Sequence, residues 1–69
     1  YLPVCDEVYL FPCTSFHSGC QALCGLVNRQ LGHYPHQNKL YVFMNRRHNQ
    51  LKIYYLAGKE ERLYRFRLL

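Results

Sequence analysis

The chain has no tryptophan, a single methionine and only four acidic residues, set against nine lysines and arginines, for a formal net charge of +5. The shortage of acid is the first exclusion. The carboxylates are Asp6-Glu7 and Glu60-Glu61, two adjacent pairs, and neighbours in an extended segment point to opposite faces. Neither pair makes a catalytic dyad, and metal-dependent strand transfer would need acids that converge on divalent ions. Four glycines form no phosphate-cradling loop. No C-x-x-C pair occurs among the four cysteines, so the usual zinc-knuckle and redox signatures are missing. A cysteine nucleophile would need a positioned base that nothing in the pattern supplies. The expectation is a protein that is not an enzyme, with no catalytic residues, no cofactor and no metal.

Long apolar runs are also missing. No Lys, Arg, Asp or Glu occurs from Val8 to Asn28, but Pro12, Thr14, Ser15, His17, Ser18 and Gln21 interrupt that stretch. A crossing helix needs about 20 mainly apolar residues, so no membrane association is expected. No basic stretch followed by an apolar one marks a signal peptide, and the opening on Tyr1 suggests a trimmed N-terminus. At 69 residues the chain is expected to form one domain, over 1–69, burying only about 60% of the surface its unfolded form exposes. Its 49% content of apolar residues is too high for a disordered tail.

What is present reads as one helix and four strands. Residues 4–11 are rich in Val, Tyr, Leu and Phe, and Pro12 is expected to stop that strand. Thr14, Ser15 and Ser18 offer capping oxygens. Phe16, Cys20, Leu23, Cys24, Val27 and Leu31 then follow on one 3.6-residue stripe. Gly32 fits the position just past the helix, and Pro35 prevents its resumption. Strands are expected over 39–45, 51–57 and 62–68, joined by hairpin-length connections at 46–50 and 58–61. The fold class is α+β, with one helix packed on a small, mainly antiparallel sheet in the order β-α-β-β-β.

Pairing Asn45 with Leu51 and Ala57 with Arg62 assigns faces to these strands, because side chains alternate along them. Tyr41, Phe43, Leu51, Ile53, Tyr55, Tyr64, Phe66 and Leu68 would then receive the helix. The opposite face would carry Lys52, Tyr54, Arg65 and Arg67 among Leu40, Val42, Met44, Leu56 and Leu63, with Arg46 and Arg47 at the hairpin. Arg46, Arg47, Lys52, Arg65 and Arg67 are the candidate nucleic-acid contacts, since the guanidinium fork suits phosphate, and Tyr54 is a candidate for stacking. Solvated surface charge is the plain alternative. Leu40, Val42, Met44, Leu56 and Leu63 are the candidate partner interface, for another protein or for self-association.

Cys5, Cys13, Cys20 and Cys24 read as free, buried thiols. A helix-face metal site with His17, Cys20 and Cys24, a pair at His33 and His36, and a disulfide framework are the weaker alternatives.

One set of residues carries a family resemblance. Tyr41-Val42-Phe43-Met44-Asn45-Arg46-Arg47, Leu51-Lys52-Ile53, Gly58, Leu63 and Arg67-Leu68 resemble the TnpB accessory protein of the insertion sequence 66 family. Its pattern runs F-V-F-x-N-R-R, then L-K-L-L-Y-W-D-G-D-G-F, then L-x-x-K-R-L. Gly19, Leu23, Val27, Leu31-Gly32 and Pro35 occupy matching places, so the likeness covers residues 8–69. The family's T-D-M-R motif stands here as Thr14-Ser15-Phe16-His17, and its W-D-G-D-G-F turn as 56–61 with one glycine kept. The chain thus resembles a diverged copy. The resemblance implies a bacterial cytoplasmic protein encoded beside a transposase, with DNA and that transposase as natural partners.

Overall fold

The computed structural model describes residues 6–14 and 19–68, with the side chain of Cys13 left out. Strand β1 (Glu7–Thr14) leads to helix α1 (Cys20–Leu31), and strands β2 (Lys39–Asn45), β3 (Gln50–Ala57) and β4 (Glu60–Arg67) follow. The four strands form one sheet in the order β1-β2-β3-β4. β1 runs parallel to β2 across the helical crossover, and the other two pairings are antiparallel. The α+β architecture expected from the sequence is the one observed.

The first strand does not stop at Pro12. It continues to Thr14, with a register shift between Phe11 and Thr14. An edge strand tolerates this, because a missing N–H on the solvent side breaks no ladder bond. The expected start at residue 4 lies outside the described residues, as do Ser15 and Ser18, two of the proposed capping residues. The third, Thr14, donates its hydroxyl proton to the Phe11 carbonyl at 3.0 Å. Gly19 holds the cap position instead, without a side-chain bond. At the other end Gly32 takes a left-handed conformation, φ 81°, and its N–H returns to the Asn28 carbonyl at 2.9 Å.

The helix stripe docks as expected, but partly on different strand residues. Leu23 and Val27 are buried against Phe11, Tyr41, Phe43 and Tyr54. The parallel register sets Tyr9 beside Tyr41 and Phe11 beside Phe43, and both ring pairs stack, at 5.4 and 5.0 Å. Each buried aliphatic or aromatic side chain of this core contributes about 1.5–3 kcal/mol.

The β2–β3 register differs from the expected one by a single residue. Phe43 faces Lys52, not Ile53, and Tyr41 faces Tyr54, not Tyr55. The cause is Asn45. Its side-chain oxygen accepts the backbone N–H of both Asn49 and Gln50 at 3.0 Å, and its amide reaches the Asn49 side chain at 2.6 Å. Those bonds close the connection at residues 46–49, one shorter than expected, with His48 at φ 57°. The second hairpin is tighter too. Ala57 pairs with Glu60 across Gly58 and Lys59, a two-residue turn with Gly58 at φ 66°. That shortening moves the partners by two residues and so leaves the faces of β4 unchanged relative to β3.

One residue of slip exchanges the faces of a whole strand. Lys52, Tyr54, Leu56, Leu63, Arg65 and Arg67, expected on the outer face, lie on the side that carries the helix. Leu51, Ile53, Tyr55, Tyr64 and Phe66, expected beneath the helix, lie on the open side. Tyr41 and Phe43 keep their expected place in the core, and Leu40, Val42 and Met44 keep theirs on the outer face.

Candidate functional site

Among the described residues, the side of the sheet away from α1 is mainly apolar. Leu40, Ile53 and Tyr55 are buried there by packing on one another and on Val42, in a cluster separate from the helix core. Around this centre the edge strands stay accessible: Val8 is 59% exposed, Leu10 60% and Phe66 45%. The Tyr55 and Tyr64 hydroxyls meet at 3.4 Å. The only described charges on the open side of β4 are Glu60 and Arg62, which pair with each other at 2.9 Å. The buried residues of α1 all belong to the other cluster. Contiguous exposed apolar patches on small soluble domains are commonly interaction surfaces.

The basic residues divide by accessibility. Arg46 and Arg47 are exposed at the β2–β3 turn, and Arg65 and Arg67 on β4. The Leu68 N–H donates to the Asn49 carbonyl at 2.8 Å, and Gln50 pairs with Arg67, so four arginines come to one end of the sheet. Lys52 does not join them. It is 3% exposed, between Phe43 and Arg65 in the sheet, and burial, then the Arg65 guanidinium, lower its pKa. Tyr54 is 2% exposed and has no ring face free for a base. Of the six nucleic-acid candidates, four remain on the surface.

The interface candidates divide in the same way. Leu40, Val42 and Met44 belong to the open face, whereas Leu56 packs against the helix core and Leu63 lies on the helix side of the edge strand. Val8, Leu10, Leu51, Ile53, Tyr55, Tyr64 and Phe66 complete the face, and none was singled out as interface from the sequence. In β1 every residue from Val8 to Phe11 is apolar, so only its pairing with β2 tells the two faces apart.

Beneath the helix, the Tyr54 hydroxyl donates to Glu61 at 2.7 Å and lies near the Cys24 thiol. Burial, then these two partners, raise the Tyr54 pKa far above its ordinary 10. Burial likewise raises Cys20. For Tyr54 the sign is definite. The folded chain keeps a proton that the unfolded chain releases above about pH 10, so stability is full below that pH and falls above it. Tyr54→Phe is expected to cost about 1 kcal/mol at neutral pH and to reduce the alkaline loss; urea denaturation from about pH 8 to 11 measures both.

Cys20 and Cys24 are free, half-buried thiols; Cys5 and His17 lie outside the described residues. The His33 and His36 rings approach to 4.3 Å, with His33 Nδ1 2.8 Å from the Tyr34 carbonyl. Among the described residues no three His, Cys, Asp or Glu converge as metal ligands. No described helix is long and apolar enough to cross a membrane.

The family model described as IS66 Orf2 like protein fits residues 6–68, the helix and all four strands included. No curated protein and no solved structure matches the chain.

Proposed function

The chain belongs to the IS66 Orf2-like family, and from that premise we propose that it docks the transposase of its insertion sequence through the open apolar sheet face. The family ties the chain to a transposition system as an accessory protein. The observation that supports docking is the apolar face itself, with its centre packed and its rim of Val8, Leu10 and Phe66 accessible. The role is one of binding, in the bacterial cytoplasm where the transposase acts, and calls for no catalytic group. Isothermal titration of the chain against the transposase tests it. Leu10→Lys with Phe66→Lys should weaken binding by about 10²- to 10³-fold, and Arg46→Glu with Arg47→Glu should spare it.

The arginine end supports a second reading, in which the same protein contacts DNA. Arg46, Arg47, Arg65 and Arg67 are exposed at one end of the sheet, and neutralising four phosphates would give a slope of log affinity on log salt near about −3.6. Binding to duplex DNA measured over a salt series should show that slope, and Arg46→Glu with Arg47→Glu should roughly halve it. A salt-independent affinity would overturn this reading.

A further inference from the structure

Every open sheet has two edges whose unpaired backbone groups invite another strand, and natural proteins usually obstruct them. The β1 edge is obstructed by Pro12, which has no N–H to donate, and by the register shift beside it. The β4 edge is not. Its eight residues contain neither proline nor glycine, and its ladder runs without irregularity from Gln50–Arg67 to Ala57–Glu60. All eight are exposed.

The tight turn decides which backbone groups are free. The pair flanking a two-residue loop exchanges both of its hydrogen bonds, so Glu60, Arg62, Tyr64 and Phe66 direct their backbone groups to β3. Glu61, Leu63, Arg65 and Arg67 therefore direct theirs to the open edge, and their side chains share the helix side of the sheet. In chain order they read acid, apolar, base, base. That order complements itself only when reversed. Two copies of β4 set antiparallel about Leu63 place Glu61 of each opposite Arg65 of the other, and a shift to Tyr64 places it opposite Arg67. A parallel, in-register pair would set acid against acid and base against base.

We infer that β4 is the pairing edge for a second copy of this chain, joined antiparallel so that the two four-stranded sheets become one. The contact is isologous and closes on itself. The obstructed β1 edges, at the two far sides of the joined sheet, end the assembly at two copies. The pairing goes beyond transposase docking: it uses the backbone of the β4 edge and the helix-side charges of Glu61, Arg65 and Arg67, not the side chains of the open face.

Sedimentation and light scattering on the chain alone test the inference. The wild type should run as a dimer at micromolar concentration. Glu61→Arg should weaken it by about tenfold or more, because two attractive cross-strand pairs become repulsive. Arg65→Glu with Arg67→Glu should do the same. Mixed together, these two variants regain complementary charges and should form a heterodimer. Tyr54→Phe, which removes the other bond of Glu61, should remain dimeric, as should Leu10→Lys on the open face. A monomeric wild type, a mixture that stays monomeric, or a dimer dissociated by Leu10→Lys would each overturn the inference.

Discussion

Phe43→Ala is expected to remove about 3–5 kcal/mol of stability, whereas Phe66→Ala shifts the melting temperature by only a few degrees. Phe43 is fully buried, stacked on Phe11 and packed in the cluster with Leu23 and Val27. Truncating such a ring removes its transfer free energy and leaves a cavity, about 3–5 kcal/mol together. A domain of 69 residues has roughly 3–10 kcal/mol of stability in all, so the loss takes between about a third and all of it. Phe66 lies on the open face, 45% exposed, and its truncation costs about 1 kcal/mol, or about 4–8 °C at this size. Thermal and urea denaturation followed by circular dichroism compare the two directly. The pairing of Asn45 with Leu51 would instead make both rings core residues of one face. Equal losses would therefore overturn the observed register.

The contrast between these phenylalanines shows where sequence patterning carries information and where it stops. The helix was legible because its apolar stripe repeats through all 12 residues of α1 and Gly32 ends it. The strands were legible from composition, and so was their order. Their faces were not, because β2 and β3 are apolar at nearly every position and alternation has nothing to contrast. Register then hangs on hairpin length, and hairpin length on the side chain of Asn45, whose oxygen gathers two backbone N–H groups across the turn. Composition cannot show that bond. Lys52 sharpened the error, since a lysine in a strand is ordinarily assigned to solvent and here lies buried beneath the helix side. The arginine end was partly legible for the opposite reason: exposed arginines at a turn and on an edge strand reach solvent in either register. Pro12 misled in a simpler way, as a strand terminator that an edge strand accommodates.

Placing lysines at Leu10 and Phe66 should weaken transposase docking by about 10²- to 10³-fold and leave the fold intact. The fold survives because both side chains are already substantially exposed, at 60% and 45%, and neither belongs to the helix core. Docking does not, because each would lose an anchor whose covering by a partner is worth about 1.5–2 kcal/mol, and an interface that excludes water must also desolvate the new ammonium groups. Losses of roughly 3–4 kcal/mol correspond to two to three decades in Kd. The two residues stand on opposite edge strands of the face, on β1 and β4, so a partner that spans the buried Leu40, Ile53 and Tyr55 centre must meet both. Single variants separate this from a one-sided contact. If Leu10→Lys and Phe66→Lys each cost about tenfold and their effects add, the whole face is covered. If one alone carries the full effect, only that edge is engaged. If the double variant titrates like the wild type, the transposase does not use this face.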